Sequence, residues 1–353
     1  MIGPEEPDEP IEVARLHAPG DVRLHREPAD IAGPDEVRLH VTTVGLCGSD
    51  RHWYAEGGVG DARLTRPLVL GHEFAGVIAD GDRAGERVVA DPAIVCRECA
   101  PCRAGQSNLC RSIRFAGHGT TDGALRSMMP WPSRLLHPLP DRISDDEAAL
   151  LEPLGIALHA LDLGRARAGG SAAVCGCGPI GLLLVGLLRV VGVATVVASD
   201  RLPHRVAAAA AMGATDAVEV AAGMPGITGP AEEREVDVAF EAAGDDDALA
   251  DAIAAVRPGG RVVLVGIPPD DRTSFRAGLA RQKGLSLVLC RRMRPLDLER
   301  AIRLAGDGTV DLAELISHRY PIAQAPEAFA TLASQRGLKV IVNPTPTRSR
   351  PEA

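Results

Sequence analysis

Aromatic residues are scarce in this chain of 353 residues, making up 3% against 46% for apolar residues as a whole. The core is therefore expected to be aliphatic, with Gly, Ala and Val in place of rings. An excess of basic charge is also missing, because the net charge is −9 and both signs are interspersed. This balance argues against nucleic acid or an anionic membrane as the main partner and favours a small molecule.

The chain also lacks a clean membrane span. Its longest apolar run, GLLLVGLLRVVGVATVVASD, is interrupted by Arg189 and Gly192, and a helix followed by a strand fits it better. The N-terminal MIGPEEPDEPIE has neither the basic nor the apolar region of a signal peptide. We therefore expect a cytoplasmic protein with reduced cysteines and with flexible tails over residues 1–10 and 346–353.

Two domains are expected at this length. Between about residues 171 and 289, short β-branched runs alternate with Ala-rich helical stretches, which predicts a doubly wound parallel sheet in an α/β domain. The predicted strands span 172–175, 195–199, 216–220, 236–240, 261–265 and 285–289.

The first 150 residues have a different pattern, in which Gly, Pro and Asp break short strands every few residues. This predicts an irregular, mostly antiparallel β domain. The C-terminal segment carries two helices and a final apolar run, LKVIV, but is too short to form a domain. We therefore expect one domain from 11–157 plus 291–345, and a second from 158–290.

A dinucleotide-binding loop is predicted in AVCGCGPIG. Gly176, Gly178 and Gly181 follow a strand and open a helix, with Pro179 and Ile180 between them. Glycines allow the backbone to approach a pyrophosphate, whose charge lies at the helix N-terminus. Strand, glycines, helix, strand and a terminal acid occur in the order this motif requires.

Asp200 is that acid, nineteen residues after Gly181 and at the end of the next strand. A carboxylate there accepts hydrogen bonds from ribose hydroxyls and repels a 2′-phosphate, so NAD is predicted as the cofactor rather than NADP. Arg201 and Arg205 are close enough in sequence to weaken that repulsion, and Arg205 is included in the predicted cofactor site.

Four cysteines with the spacing C-x2-C-x2-C-x7-C predict a metal site in a lobe over about residues 91–112. Four thiolates can close a tetrahedral shell around zinc, which makes such a site structural rather than catalytic. An iron–sulfur cluster is the alternative, although the spacing does not match the ferredoxin pattern. The cysteines are Cys96, Cys99, Cys102 and Cys110.

A second metal site is a hypothesis based on the segments GLCGSDRHWY, LGHEF and LLEPLG. Cys47, His72 and Glu73 offer a thiolate, an imidazole and a carboxylate, which suit zinc and leave a fourth position open. Glu152 could close that position or hydrogen-bond a zinc-bound water. Each residue also has an ordinary structural interpretation, such as a buried packing cysteine or a histidine at a strand end.

The order of CGSDRH, GHE, the four-cysteine spacing, EPL, GCGPIG and a strand ending in Asp resembles the medium-chain zinc-dependent dehydrogenases, most closely their polyol (sorbitol or L-iditol) branch. The resemblance spans about residues 11 to 344. It implies a GroES-like β domain split around a Rossmann domain. It also implies two zinc ions per chain, the catalytic one on Cys47, His72 and Glu73 with Glu152 nearby. Simple alcohol dehydrogenases of the family usually have a cysteine where Glu152 would act, which favours a polyol.

The same resemblance implies roles for further residues. Asp50 would orient His72, and a proton would leave through Ser49, a cofactor ribose hydroxyl and His52. Residues implied for the substrate pocket are Trp53, Tyr54, Phe115 and Arg292. The family also implies a homodimer or tetramer formed through the edge of the Rossmann sheet.

The predicted activity is hydride transfer that interconverts a secondary alcohol of a polyol, cyclitol or sugar acid and its ketone. Two alternatives stay open. One is a threonine or simple secondary alcohol dehydrogenase, and the other is a non-catalytic dinucleotide-binding sensor or structural protein.

Overall fold

A computed structural model describes residues 9–221, 235–269 and 271–347. Most of both predicted tails, residues 1–8 and 348–353, lies outside these ranges.

The secondary structure of the described residues alternates between short strands and helices. The strands are β1 (Ile11–Ala18), β2 (Asp21–Glu27), β3 (Glu36–Leu46), β4 (Gly58–Val59), β5 (Ala62–Arg63), β6 (Leu68–Val69), β7 (Glu73–Ile78), β8 (Arg87–Ala90), β9 (Ala93–Ile94), β10 (Arg114–Phe115), β11 (Met128–Pro132), β12 (Leu136–Pro138), β13 (Ser171–Cys175), β14 (Thr195–Asp200), β15 (Asp216–Glu219), β16 (Val236–Glu241), β17 (Val256–Leu264), β18 (Ser286–Leu289), β19 (Ile316–Pro321) and β20 (Lys339–Asn343). The helices are α1 (Gly48–Glu56), α2 (Ala100–Arg103), α3 (Asp145–Ala148), α4 (Leu151–Gly164), α5 (Pro179–Val190), α6 (Pro203–Ala211), α7 (Asp246–Ala255), α8 (Ala277–Gln282), α9 (Pro295–Gly306) and α10 (Ala325–Ser334). Short 3-10 helices cover Ser107–Leu109, Ser133–Leu135, Ala313–Leu315 and Ile322–Gln324.

The chain divides into two compact units. The first comprises the described residues up to Arg103, Cys110–Leu151 and the described residues from Leu312 onward. The second comprises Ala104–Leu109 and, where described, Glu152–Asp311.

The first unit is a mostly antiparallel β structure. Its largest sheet has the order β12-β8-β7-β3-β20-β19, with β11 also paired to β3. Every residue of strand β3 from Val41 to Leu46 is buried, because neighbouring strands cover both edges of β3 and the core lies against it. The core of this unit combines aliphatic side chains with a few large rings, among them Phe74, Trp131 and Phe329.

The C-terminal strand β20 completes this sheet. It pairs antiparallel with β3, with Val340 opposite Leu46, and parallel with β19. The segment that joins the first unit begins at Leu312, whereas the sequence placed the limit at residue 291. Helix α9 therefore belongs to the second unit, where Gly155 of α4 allows Met293 and the backbone at Asp297 to approach closely.

The second unit confirms the predicted doubly wound sheet. Its six strands are all parallel and follow the order β15-β14-β13-β16-β17-β18. This is the order of the dinucleotide-binding Rossmann fold, in which ligands lie outside the carboxyl ends of the strands where the order reverses. That reversal falls between β13 and β16, next to the glycine loop that follows Cys175.

Each of the six predicted strands is present, and the limits of five of them agree with the prediction to within one residue. Strand β17 begins at Val256 instead of residue 261, because the chain enters the sheet directly at the end of α7. The apolar run containing Arg189 forms helix α5 and then strand β14, as expected. Among the described residues, no helix is long and apolar enough to cross a membrane.

Candidate active site

Cys47 lies between strand β3 and helix α1, in the first unit. It adopts an extended conformation with φ −124° and forms the N-cap of α1, so its side chain leaves the end of the strand at a sharp turn. Its backbone N–H donates to Oδ2 of Asp50 at 3.0 Å, which is the acidic half of a capping box. The helix start thus fixes the position of the thiol.

His72 meets Cys47 from the loop between β6 and β7. Its Nε2 lies 3.1 Å from the Sγ of Cys47, and its Nδ1 lies 3.7 Å from Oδ1 of Asp50. A metal-binding histidine typically turns one ring nitrogen to the ion and the other to a carboxylate or carbonyl group. The ring of His72 has this orientation.

Gly71, with φ +91°, makes this approach possible. A Cβ atom there would lie 2.5 Å from Cγ1 of Val44, so a side chain would push the histidine loop away from strand β3. The positive φ is also strained for any residue other than glycine.

Cys47, Asp50 and His72 form a group whose ligand atoms all lie within 4.8 Å of one another. Asp50 is fully buried, and its Oδ1 accepts no hydrogen bond from the described residues. Burial first, and then the charges of Asp50 and Glu73, raise the pKa of the Cys47 thiol well above its usual value. A cation at this position would reverse that effect and stabilise the thiolate, so the donor set fits a zinc ion.

Glu73 has a different partner from the one the sequence suggested. Its carboxylate forms an ion pair with the buried Lys339 of β20, whose Nζ also donates to the carbonyl oxygen of Leu46 at 3.3 Å. Gly45 leaves room for this arrangement, because a Cβ atom there would overlap Oε2 of Glu73. Glu73 follows His72 directly but is not part of the group formed by Cys47, Asp50 and His72. Its role as a ligand stays a prediction.

The other residues predicted to act in catalysis are spread over both units. Ser49 lies at the metal group, with its Oγ 2.8 Å from the Sγ of Cys47 and 3.4 Å from Nε2 of His72. His52 is buried, and its Nδ1 lies 2.9 Å from Oε1 of Glu56. Glu152 is a buried residue in the first turn of α4, in the second unit.

The four predicted pocket residues are in different surroundings. Phe115 lies beside the metal group, with its ring 5.3 Å from that of His72. Trp53 is fully buried, and the half-buried Tyr54 stacks on Phe329 of α10 at 5.3 Å. Arg292 belongs to the second unit and has a positive φ of 54°. Phe115 thus lies against His72, and the pocket roles of the four residues stay predictions.

The four clustered cysteines converge on one point. Measured between Sγ atoms, Cys96 lies 3.4 Å from Cys110 and 4.0 Å from Cys102, and Cys99 lies 4.0 Å from Cys110. Four sulfurs bonded to zinc at about 2.3 Å would be about 3.8 Å apart, so these distances bracket a tetrahedral site. All eight cysteines of the chain are free thiols in the structure.

Backbone N–H groups support thiolates in this loop. Those of Arg111 and then Cys102 lower the pKa of the Cys99 thiol to about 6, whereas burial raises that of Cys102 to about 12. The backbone N–H groups of Cys96 and Cys99 also donate to neighbouring sulfurs, at 3.3 Å and 3.4 Å. Such a loop is typical of a zinc knuckle.

In the second unit, the glycine loop lies at the start of α5. Gly176 has φ +100°, and a Cβ atom on Gly181 would lie 1.9 Å from the carbonyl oxygen of Gly176. Gly178 is the N-cap of the helix, with Pro179 in its first turn and Ile180 next. The backbone is thus open at the helix N-terminus, where a pyrophosphate fits.

Asp200 closes this loop from the end of β14. Its Oδ2 accepts from the backbone N–H of Cys177 at 2.7 Å, and its Oδ1 accepts from that of Leu202 at 2.9 Å. A carboxylate has about four acceptor positions, so it can still receive ribose hydroxyls. Arg205 lies nearby, with Nη1 at 3.9 Å from Oδ2 of Asp200.

Sequence reasoning missed two features of these sites. Lys339 was included only as part of the apolar run LKVIV. It is one of just two lysines in the chain, and this rarity could have marked it as a residue with a specific role. Glu241 ends strand β16 beside the glycine loop, and its Oε1 accepts from the backbone N–H groups of Ala243 and Gly244 at 2.8 Å and 2.6 Å. An acid at a strand end could have been noticed, as Asp200 was.

Comparison with protein families gives two matches. Residues 33–141 match the alcohol dehydrogenase GroES-like domain, and residues 179–307 match the zinc-binding dehydrogenase family. The first match agrees with the separate β unit, and the second covers the glycine loop and the parallel sheet.

Several known proteins are similar over most of the chain. Sorbitol dehydrogenase of Bacillus subtilis is 31% identical over 95% of this chain and 97% of its own length. L-Idonate 5-dehydrogenase of Vitis vinifera is 33% identical over 86% of both chains. A zinc-binding dehydrogenase of Sinorhizobium meliloti, solved with NADP bound, has a TM-score of 0.86 at 29% identity and covers 95% of this chain and 100% of its own.

Proposed function

Because this chain belongs to the zinc-dependent medium-chain dehydrogenases, in their polyol branch, we propose that it interconverts a secondary alcohol and its ketone. The substrate class is a polyol, a cyclitol or a sugar acid, as in the sorbitol and idonate dehydrogenases to which the chain is similar. The observation that carries the proposal is the position of His72, between the Cys47 thiol on one ring nitrogen and the Asp50 carboxylate near the other.

Two zinc ions per chain are part of the proposal. Cys96, Cys99, Cys102 and Cys110 would hold a structural ion. Cys47 and His72 would hold the catalytic ion, and Glu73 and Glu152 are the carboxylates proposed to complete its surroundings. Glu73 would have to exchange Lys339 for the metal in order to take that role.

The chain's own residues would then divide the remaining work. Zinc held by these residues would supply Lewis acidity toward the substrate hydroxyl, and NAD held at the glycine loop would be the hydride acceptor. Asp50, whose Oδ1 lies 3.7 Å from Nδ1 of His72, would orient the imidazole so that Nε2 faces the metal. Ser49 lies at the Cys47 thiol and is the proposed first member of a proton relay that would continue through a cofactor ribose hydroxyl to His52.

NAD is the proposed cofactor, although the Sinorhizobium meliloti relative binds NADP. Asp200 supports this choice, because its buried carboxylate lies at the end of β14, where the ribose hydroxyls of a dinucleotide bind. Gly176, Gly178, Pro179, Ile180 and Gly181 would surround the pyrophosphate, with Arg205 nearby.

A homo-oligomer formed through the free edge of the Rossmann sheet is also proposed. Strand β18 is the last strand of the sheet, and Leu289 at its end is 75% exposed. The cytoplasm is the proposed compartment, because four clustered thiols need reducing conditions to remain metal ligands. Light scattering of the wild-type protein and of Leu289→Lys tests the oligomer, since only the substitution should yield monomers.

Substrate class and metal content are tested together. NADH formation is measured with a panel of acyclic polyols, cyclitols, sugar acids, threonine and simple secondary alcohols, and zinc is counted by mass spectrometry. The wild-type protein should contain two zinc ions and oxidise a polyol, cyclitol or sugar acid. Cys47→Ser should keep one ion and lose turnover. Turnover confined to threonine or a simple alcohol would contradict the substrate class, and one zinc ion in the wild-type protein would contradict the catalytic site.

A further inference from the structure

An ion pair joins the end of β14 to the start of α7 in the second unit. Arg201 follows Asp200 directly, and its Nη2 lies 2.8 Å from Oδ2 of Asp247 and 3.6 Å from Oδ1 of Asp245. These two acids begin α7, which follows strand β16. The pair thus connects the residue next to the proposed ribose ligand with the loop on the other side of β13.

Arg201 is the guanidinium best placed by the chain to meet a 2′-phosphate. In Rossmann proteins that use NADP, an arginine near the end of the second strand accommodates this phosphate. Arg205, the other candidate, lies toward the glycine loop, with its Nη1 3.9 Å from Oδ2 of Asp200 and 3.9 Å from where a Cβ atom on Gly178 would be.

Asp245 and Asp247 dominate the charge of the ion-paired group to which Arg201 belongs. Asp200, Asp245 and Asp247 carry three negative charges against two positive charges on Arg201 and Arg205. Without Asp245 and Asp247 the net charge of these side chains would change from −1 to +1, and a doubly charged phosphate would be repelled less.

We propose that Asp245 and Asp247 determine cofactor specificity by holding Arg201 in this ion pair, away from the 2′-phosphate of NADP. The inference rests on the proposed use of NAD and adds residues outside the glycine motif that enforce it. The side chains of Arg201, Asp245 and Asp247 are 44%, 38% and 57% exposed. The ion pair should therefore contribute only as much free energy as other solvent-exposed ion pairs. Its loss should change the ratio of the two affinities by roughly fivefold, the upper range for such pairs.

Asp246 provides a matched control, because it has the same charge and the same helix turn but other partners. Its Oδ1 accepts from Oγ1 of Thr273 and from the backbone N–H of Ser274, both at 2.9 Å. Asn is suitable at all three positions, since it keeps the shape of the side chain and remains a good N-cap at position 245.

The experiment measures the dissociation constants of NAD+ and NADP+ by titration calorimetry, at low and at high salt, without turnover. In Asp247→Asn and in Asp245→Asn/Asp247→Asn, NADP+ should bind roughly fivefold more tightly relative to NAD+, and high salt should reduce the gain. Asp246→Asn should leave the ratio within about twofold of the wild-type value. Adding Arg201→Ala to Asp247→Asn should abolish the gain.

Two results would overturn the inference. One is an unchanged ratio in the double variant, and the other is an equal gain in Asp246→Asn, which would indicate a general charge effect instead of a held arginine. Failure of the proposed NAD preference is seen separately, in the wild-type protein alone. If that protein binds NADP+ more tightly than NAD+, the preference is wrong and the inference falls with it.

Discussion

The substitution Lys339→Met would remove one partner of the most deeply buried ion pair at the candidate active site. The side chains of Lys339 and Glu73 are 1% and 3% exposed. Met has similar length and volume but no charge, so the change leaves the Glu73 carboxylate in the core without its cation. The carbonyl oxygen of Leu46 also loses its donor.

The expected loss follows from the burial of both side chains. Breaking a buried pair by removing one partner typically costs about 3–5 kcal/mol of the free energy of unfolding. Lys339→Met should therefore lower the free energy of unfolding by about 3–5 kcal/mol.

Urea unfolding followed by circular dichroism measures this loss. Lys283→Met is the matched control, because it removes the chain's other lysine, whose Nζ donates to the carbonyl oxygens of Ala254 and Val256 at 2.7 Å. That variant leaves no buried carboxylate behind and should lose about 1–2 kcal/mol. Glu73→Gln/Lys339→Met should recover much of the loss of the single variant.

The reasoning is refuted if Lys339→Met unfolds like the wild-type protein, or if it loses no more stability than Lys283→Met. Repeating the measurement with and without added zinc shows whether the released Glu73 turns to the metal. In that case zinc should stabilise the variant more than it stabilises the wild-type protein.

Three further outcomes are expected. Gly181→Ala should weaken NAD+ binding more than tenfold in calorimetry, because its Cβ atom would lie 1.9 Å from the carbonyl oxygen of Gly176. Gly186→Ala on the same helix is the control: its Cβ atom would contact only the end of a methionine side chain, so this variant should bind NAD+ normally. Burial raises the pKa of Asp91 to about 6, so the folded protein loses stability as the pH rises from about 4 to about 6. In urea unfolding, Asp91→Asn should therefore stabilise the protein by up to about 3 kcal/mol near pH 7 and hardly at all near pH 4. An equal gain at both pH values would contradict this. Asp50→Asn should lower the zinc affinity of the catalytic site by about 10–100-fold in a chelator competition, and an unchanged affinity would show that the carboxylate does not orient the metal-site histidine.

The parallel sheet could be predicted from sequence because its signals are local. Each strand, such as β13 or β14, is a short apolar run covered on both faces, and the glycines that follow β13 and the acid that ends β14 stand at fixed positions relative to them. The four-cysteine loop is equally local, since its ligands lie within fifteen residues of one another.

Contacts between distant segments could not be predicted in this way. Lys339 meets Glu73 across 266 residues of chain, and nothing in either neighbourhood identifies the other. The sequence predicted two helices in the C-terminal segment, but the place of α9 in the second unit depends on packing against α4, which periodicity does not encode. Tyr54 stacks on Phe329 of the distant helix α10, a contact that the sequence around Tyr54 does not encode, and its place in the substrate pocket stays a prediction.

Asp50 makes the local fold of α1 and the geometry of the metal group inseparable. Its Oδ2 accepts a hydrogen bond from the backbone N–H of Cys47, while its Oδ1 lies 3.7 Å from Nδ1 of His72. An inserted or deleted residue between positions 47 and 50 would rotate that carboxylate by about 100° around the helix axis, so that it would lose both the backbone of Cys47 and the ring of His72. Variation in this turn is therefore confined to exchanges that preserve its length, and a protein that lost its metal chemistry here would be free to change that length.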